Sequence, residues 1–225
     1  MMNESTARME AITDNLANSA TPGYRKAVCV QQSFDQILNE KTRPLSCLLD
    51  FSQGAIRNTG NATDFALNGN GFFVLEKDGN ELYTRNGQFS IGPEGVLISS
   101  NGMNVKSSSG NIIIPQNVDP RKLTVNADGT LMADGQSVAQ LSIVDFEDPK
   151  VLRKVSPTLL QAPEGAKAEP VKDPAVLNMS LEASNSSVFE EMAELIQCSR
   201  SFEQAQKSLR QQDDLESKTI VALSQ

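Results

Sequence analysis

The sequence predicts an α+β protein in which amphipathic helices at the two termini pair as a coiled coil and carry an inserted antiparallel all-β domain. Three observations support this prediction. Residues 188–223 contain no Gly or Pro and repeat apolar residues at helical spacing. Residues 2–17 repeat apolar residues in the same way. Between the two, short apolar runs alternate with Asn-Gly and Asp-Gly pairs, which is typical of antiparallel strands joined by tight turns.

The C-terminal stretch has the strongest pattern in the chain. Val188, Met192, Leu195, Phe202 and Leu209 recur at steps of three, four or seven residues, which places them on one apolar stripe of a helix. At ~1.5 Å per residue this helix would be about 54 Å long. A stripe of that length must be buried on something, so we expect it to form an interface.

The N-terminal helix is the natural partner for this stripe. Within residues 2–17, Met9, Ile12 and Leu16 share one face, again in heptad phase. No other stretch between the termini has this character. The most economical arrangement pairs the two terminal helices as a coiled coil.

A run of loop-forming residues follows the first helix. It begins at Asn18 and includes Pro22-Gly23, a pair that predicts a turn. Residues 25–42 are mixed in character and predict a short extended piece followed by a helical turn or two.

The middle of the chain predicts the β domain. From about residue 44 to about 160, short apolar runs are separated by turn pairs, and Gly69 and Gly71 lie in the predicted turn between two such runs. Residues 161–176 are rich in Pro, Ala and charge and predict a loop. We therefore expect a helical region made of 1–43 and 177–225, and a β-rich region at 44–176.

The composition argues against several classes of partner. The chain has 225 residues and a net charge of −8, with 20 Lys and Arg against 28 Asp and Glu. It lacks a basic block, so we expect no nucleic-acid partner. No stretch approaches the ~18 apolar residues of a membrane span, so direct membrane insertion is not expected. Residues 1–20 carry charges throughout and lack the apolar core of a secretory signal.

The sequence predicts no enzyme, cofactor or metal site. The chain has no His, which excludes Ser-His-Asp triads, Cys-His dyads and histidine metal sites. The Gly-containing run at 68–73 and the Asp128-Gly129 pair fit turns better than phosphate or calcium loops. Cys29, Cys47 and Cys198 are far apart and odd in number, so we expect three isolated thiols packed as small apolar side chains.

Three stretches together resemble one protein family. Residues 11–25, AITDNLANSATPGYR, resemble the N-terminal signature of flagellar basal-body rod and hook proteins, N-L-A-N followed by T-x-G-[YF]-[KR]. The runs QGAIRNTG, DFALNGNGFF and YTRNGQF between residues 53 and 89 resemble the central β segment of that family. LEASN at 181–185 and SRSFE at 199–203 resemble its C-terminal helix region.

The resemblance implies a structural subunit of the flagellar basal-body rod. It implies that the terminal helices form the innermost layer of an axial drive shaft in the periplasmic rod, with other rod and hook subunits and further copies of the chain as partners. It also implies passage through the flagellar type III export apparatus without a cleavable signal peptide. Family members usually begin upstream of the position matching Met1, and the short chain favours the smaller proximal-rod member over the distal one.

The expected site residues follow from the stripe and from this resemblance. The assembly interface is expected to contain Met9, Ile12, Asn15, Leu16, Asn18, Val188, Met192, Leu195, Phe202 and Leu209. The expected structural turns contain Pro22, Gly23, Gly69 and Gly71.

Two other functions remain open from the residues alone. One is a soluble β-rich binding module with a helical dimerisation stalk, which would form a discrete stable dimer. The other is an enzyme on the β domain, which would require a pocket with convergent polar groups and perturbed acids.

Overall fold

The computed structural model divides the chain into two compact units, each described by itself below. The described residues are 2–31, 45–77, 79–115, 118–163 and 165–223. The helical unit consists of Met1–Ala17, Ala27–Leu48 and Ser187–Gln225. The β unit consists of Asn18–Lys26 and Leu49–Ser186.

The helical unit contains the two terminal helices and a small sheet. Helix α1 spans Met2–Ala17 and helix α2 spans Val188–Leu223, 36 residues without a break. Strands β1 (Ala27–Gln31) and β2 (Leu45–Leu49) form a two-stranded sheet. The two predicted terminal helices are confirmed. The extended piece expected in 25–42 is β1, whereas the helical turns expected after it lie outside the described residues.

The prediction of three isolated thiols is wrong. Cys29 on β1 and Cys47 on β2 form a disulfide, and only Cys198 is a free buried thiol. The spacing of 18 residues between the pair carried no recognisable motif. Pairing of β1 with β2 brings the two side chains together, and this contact depends on the fold rather than on a local pattern.

The β unit is built from short strands. Their bounds are β3 Ile56–Asn58, β4 Phe65–Leu67, β5 Phe72–Lys77, β6 Asn80–Thr84, β7 Phe89–Ile91, β8 Leu97–Ser99, β9 Asn104–Ser107, β10 Gly110–Asn111, β11 Leu123–Val125, β12 Thr130–Ala133, β13 Gln136–Gln140, β14 Ile143–Phe146, β15 Arg153–Ser156, β16 Leu159–Gln161, β17 Ala168–Pro170, β18 Val176–Asn178 and β19 Ser180–Glu182. Short 3-10 turns at Pro120–Lys122 and Pro149–Val151 precede β11 and β15.

One large sheet organises this unit. Its ten strands include the path β15-β16-β6-β5-β9-β8-β7, with β14 pairing β5 and β17, and β10 pairing β9. A three-stranded sheet β11-β12-β13 and the pairs β18-β4 and β19-β3 complete it. Every described pairing within the β unit is antiparallel, which confirms the predicted α+β class with a large antiparallel β domain.

Strand β5 shows why the unit holds two apolar clusters. Alternate residues of a strand point to opposite faces. Phe73 and Leu75 belong to the larger cluster, and Phe72 and Val74 belong to the smaller one. Both faces of this strand are therefore buried, and apolar residues follow one another in it without alternation.

The hairpin between β12 and β13 follows the turn chemistry of the sequence. Ala133 pairs with Gln136, so Asp134 and Gly135 are the two central residues, with φ angles of 53° and 81°. Positive φ at both positions is the conformation that Asp-Gly favours in tight hairpins.

The predicted loop at 161–176 contains regular structure. Strand β17 lies inside it and pairs with β14 through Phe146 and Ala168. Its composition is unusual for a strand, and Pro170 stands at its end, where no backbone N–H is needed for the strand pairing.

Within the part of the chain that the structure describes, neither helix has an apolar stretch that could span a membrane.

Candidate assembly interface

Helices α1 and α2 run antiparallel and contact each other along the length of α1. The Cys198 thiol donates to the Ser5 carbonyl oxygen at 3.7 Å, and the Arg8 guanidinium lies 3.7 Å from the Glu194 carboxylate. Ile12 is buried in the same unit. The Arg8–Glu194 pair is about half exposed, so the buried contacts hold the helices together more strongly than this ion pair does.

Asn15 connects three elements of the helical unit. Its amide nitrogen donates to the Ala27 carbonyl oxygen at 2.9 Å and to Glu191 Oε2 at 3.1 Å. Its amide oxygen accepts from the Ala27 backbone N–H at 2.9 Å. The Asn15 side chain therefore hydrogen-bonds the backbone of β1 as a neighbouring strand would. It also links β1 to both helices. Because Asn15 is buried, water would not readily replace its hydrogen bonds to Ala27 and Glu191 if the side chain were removed.

Helix α2 presents a second apolar face that α1 does not cover. Phe189 is 86% exposed, Ile196 53% and Met192 48%. These residues lie at i, i+3 and i+7 and share one side of the helix. Glu191 and Cys198, which contact α1, lie on a different side and are buried. We call the exposed set Val188, Phe189, Met192 and Ile196 the outer patch.

The predicted stripe of α2 crosses from one face to the other. Val188 is exposed, whereas Leu195 and Phe202 are partly buried. Seven residues fall about 20° short of two full turns, so a heptad series drifts around a straight helix. The drift carries the stripe from the outer patch towards the face of Cys198. Met192 lies in the outer patch, and the side chain of Leu209 lies outside the described residues.

The other predicted interface residues lie at different depths. Met9 and Leu16 are partly buried on α1. Asn18 belongs to the β unit, where its carbonyl oxygen accepts from the Thr21 backbone N–H at 3.0 Å. This places Asn18 in the turn that follows α1 rather than on the helix surface.

The predicted turn at Pro22-Gly23 is closely packed within the β unit. Gly23 has φ +69°, and its N–H donates to the Glu182 carbonyl oxygen at 2.8 Å. A Cβ at this position would lie 2.3 Å from the backbone nitrogen of Asn86. Glycine is therefore required both for the backbone angle and for the space. Gly69 and Gly71 also have positive φ, at 115° and 113°.

A buried ionic cluster joins distant parts of the β unit. Glu182 accepts from Arg25 at 2.7 Å and from Arg85 at 3.4 Å, and its Oε1 also accepts the Gly54 N–H at 2.8 Å. All three charged side chains are buried. Burial lowers the pKa of Arg85 to about 10, and the Glu182 carboxylate acts in the opposite direction.

A second asparagine clamps backbone in the β unit as Asn15 does in the helical unit. The Asn185 oxygen accepts from the Lys26 N–H, and its nitrogen donates to the Asp50 carbonyl oxygen, each at 2.8 Å. The Asp50 N–H in turn donates to the Lys26 carbonyl oxygen at 2.9 Å. Three chain segments are thereby joined without a regular strand pairing.

Within the described ranges, no group of three or more His, Cys, Asp or Glu side chains could hold a metal ion. The charged groups of the Glu182 cluster bind one another and the backbone, in an arrangement suited to holding segments together.

Comparison with known proteins identifies the family. Residues 66–133 match the model of the flagellar hook protein FlgE/F/G D1 domain, and residues 178–221 match the flagellar basal body rod FlgEFG protein C-terminal model. The flagellar basal-body rod protein FlgG of Buchnera aphidicola (subsp. Schizaphis graminum) is 30% identical over 244 aligned positions, covering 92% of this chain and 90% of the relative. The chain belongs to the flagellar basal-body rod protein family.

Other rod proteins align over similar lengths. FlgF of Caulobacter vibrioides is 29% identical over 212 positions, covering 89% of this chain and 85% of that protein. The flagellar hook-basal body complex protein FlhP of Bacillus subtilis is 28% identical over 253 positions, covering 95% and 93%. This chain is a structural rod subunit, as the N-terminal and C-terminal motifs implied, and family members are structural flagellar proteins.

Two residues within the family motifs form an ion pair that was not predicted from the sequence. Arg25 and Glu182 both lie in stretches that resemble the family, yet no role was predicted for either. The only indication in the sequence was their charge, because a Glu and an Arg among mostly uncharged motif residues suggest an ion pair. The chain pattern did not indicate that the two, 157 residues apart, would be partners.

Proposed function

We propose that this rod subunit polymerises through its terminal helices, with α1 and α2 paired as a coiled coil in the axial core of the rod. The outer patch carries this proposal. Phe189, Met192 and Ile196 expose apolar side chains next to one another on a helix that already has one partner. A contiguous exposed apolar surface of this kind usually marks a protein–protein contact.

The length of α2 supports contacts with more than one neighbour. The helix has 36 residues and α1 has 16. Ser5 contacts Cys198, so the part of α2 beyond about residue 202 extends past the start of α1. Copies of this chain, or other rod and hook subunits, arranged around an axis would cover both the outer patch and this extension. Subunits packed in this way would form the axial drive shaft of the basal body.

The proposed route to the rod is the flagellar type III export apparatus, followed by assembly in the periplasm. Residues 2–17 support it. They form α1, whose Ile12 and Asn15 are buried in the helical unit. Residues 2–17 are therefore part of the folded helical unit and do not have the character of a cleaved signal. We place the subunit in the rod by this route, with no cofactor and no nucleic-acid partner.

Aspartate substitutions in the outer patch test the proposal. Phe189→Asp and Ile196→Asp should leave the fold intact, because both side chains are exposed in the single chain. Buried against a neighbouring subunit, the new charge would be strongly unfavourable. Strains carrying either variant as the sole copy should lack the subunit in purified hook-basal bodies and should not swim. Circular dichroism of the variants should match the wild type.

The matched control is Gln197→Asp, an exposed position on the side of α2 away from both apolar faces. It should assemble normally. Normal swimming and normal incorporation of the Phe189→Asp variant would show that the outer patch is not the assembly surface. A sharp dimer whose mass does not change with concentration, together with loss of that dimer in Phe189→Asp, would instead favour the stalked binding module.

A further inference from the structure

We propose that the Cys29–Cys47 disulfide is a modification this subunit acquires only after it leaves the cytoplasm, and that it locks β1 in the position where Asn15 binds it. The inference rests on the proposed periplasmic location. The disulfide joins β1 to β2 across a separation of 18 residues. Disulfides persist in oxidising compartments such as the periplasm and are reduced in the cytosol.

A covalent link between its two strands would stabilise the small sheet. Among the described residues, β1 and β2 form a sheet of two strands. Val28 and Leu48, which flank the disulfide along these strands, are both exposed. A two-stranded sheet with exposed apolar residues is marginally stable in water. A covalent tie between the strands restricts their separation in the open state and so favours the paired state.

Strand β1 also links the disulfide to the helices. Ala27 lies two residues before Cys29, and both its N–H and its carbonyl oxygen are bound by Asn15. Asn15 in turn contacts Glu191 on α2. Closing the disulfide therefore stabilises the strand on which the Asn15 contacts depend. In the dithiol form β1 opens more often, and a less stable helical unit is easier to keep unfolded for export.

The oxidation is an ordinary thiol–disulfide exchange with an external disulfide oxidant. The thiolate of one cysteine attacks the oxidant's disulfide, forms a mixed disulfide and releases one oxidant thiolate. The thiolate of the second cysteine then attacks the mixed disulfide, forms the Cys29–Cys47 bond and releases the other oxidant thiolate. The chain loses two electrons and two protons, and the oxidant disulfide is reduced to two thiols.

Cys198 provides an internal comparison. It is buried and donates to the Ser5 carbonyl oxygen in the same unit. It stays a thiol in the oxidised chain and becomes reactive only when α1 and α2 separate. Its alkylation therefore reports unfolding, whereas alkylation of Cys29 and Cys47 reports reduction of the disulfide.

The first test measures the purified full chain in both redox states. The reduced chain is treated with oxidised glutathione, and amide exchange is followed at Ala27 and along β1. Oxidation should slow exchange there by about tenfold or more, as expected when local opening becomes rarer. The Cys29→Ser/Cys47→Ser double variant should show no response to glutathione. Equal exchange rates in the oxidised and reduced wild-type chain would overturn the proposed locking role.

The second test locates the modification in cells. Hook-basal bodies and the cytoplasmic pool are trapped in acid, alkylated with a maleimide and analysed by mass spectrometry. Cys29 and Cys47 should be protected in the assembled subunit until a reductant is added, and alkylated in the cytoplasmic pool. Free thiols at both positions in assembled rods would overturn the proposed modification. The glutathione experiment requires no assembly, so its result is independent of whether the outer patch forms the rod contact.

Discussion

The amide nitrogen of Asn15 lies 3.1 Å from Glu191 Oε2, a contact between residues 176 positions apart that joins the two terminal helices. Both side chains are buried. The same amide binds the N–H and carbonyl oxygen of Ala27, so one side chain fixes the relation of α1, α2 and β1. This explains physically why an Asn, with one acceptor and two donors, suits this position of the N-L-A-N motif.

Replacement of Asn15 by Ala should destabilise the helical unit and leave the β unit folded. The change removes the hydrogen bonds to Ala27 and Glu191 and leaves the partly buried backbone groups of Ala27 without the side chain that pairs them, which should lower the free energy of unfolding by about 1–3 kcal/mol. Amide exchange would show faster exchange at Ala27 with unchanged protection in β5. Thr13→Ala, an exposed change on the same helix, should cost about 0.5 kcal/mol or less. Unchanged protection at Ala27 would contradict the role given to Asn15.

Glu182→Gln should destabilise the β unit strongly despite its similar shape. It leaves the buried guanidinium groups of Arg25 and Arg85 without their shared carboxylate. Breaking a buried ion pair in this way costs about 3–5 kcal/mol. Urea unfolding monitored by Tyr fluorescence would measure the loss. Glu147→Gln, an exposed position in the same unit, is the control, and equal midpoints for the two variants would refute the argument.

Gly23→Ala should be far more damaging than Gly102→Ala, although the two positions have nearly the same φ, +69° and +72°. A Cβ at Gly23 would meet the Asn86 backbone, whereas at Gly102 nothing lies within 4 Å. We expect a loss of about 2–5 kcal/mol for Gly23→Ala, against about 1–2 kcal/mol for Gly102→Ala from backbone strain alone. Thermal unfolding of both variants would measure the difference. Similar melting temperatures would show that the turn relaxes to admit a side chain.

Tyr83 should titrate above the usual range of a tyrosine. Burial raises its pKa, and the negative charge of Glu81 together with its hydrogen bond raises it further. The chain has two tyrosines, so Tyr24→Phe leaves Tyr83 as the single phenol whose ultraviolet absorbance reports ionisation. In the folded variant the midpoint should lie above 10, and in urea it should return to about 10. A midpoint that urea does not change would contradict the prediction.

The same shift makes stability depend on alkaline pH. In the unfolded chain Tyr83 loses its proton at about pH 10, whereas in the folded chain it keeps the proton to higher pH. Between these two values the unfolded state binds fewer protons, so the free energy of unfolding falls as the pH rises. Glu81→Gln should reduce this decline, because it removes the charge next to the phenol.

The sequence by itself determined the features that depend on neighbouring residues. The 3.6-residue period of 188–223 and the absence of Gly and Pro were sufficient to predict α2, because a helix forms its hydrogen bonds within its own segment. The Asp134-Gly135 turn was predictable for the same reason, since its positive φ angles are a local property of those residue types. The motifs and their order along the chain likewise indicated the family, because each motif is a short local pattern.

Only the tertiary structure decided the contacts between distant residues. Glu182 could have paired with any Arg or Lys of the chain, and the register of β19 against β3, together with the turn at Gly23, selects Arg25 and Arg85. The disulfide between Cys29 and Cys47 depends on β1 pairing with β2. The division of α2 into a face against α1 and an exposed outer patch depends on where α1 packs, since periodicity marks apolar residues but not the side that a partner covers. Long-range pairings are set by how the whole chain packs, which no local pattern contains.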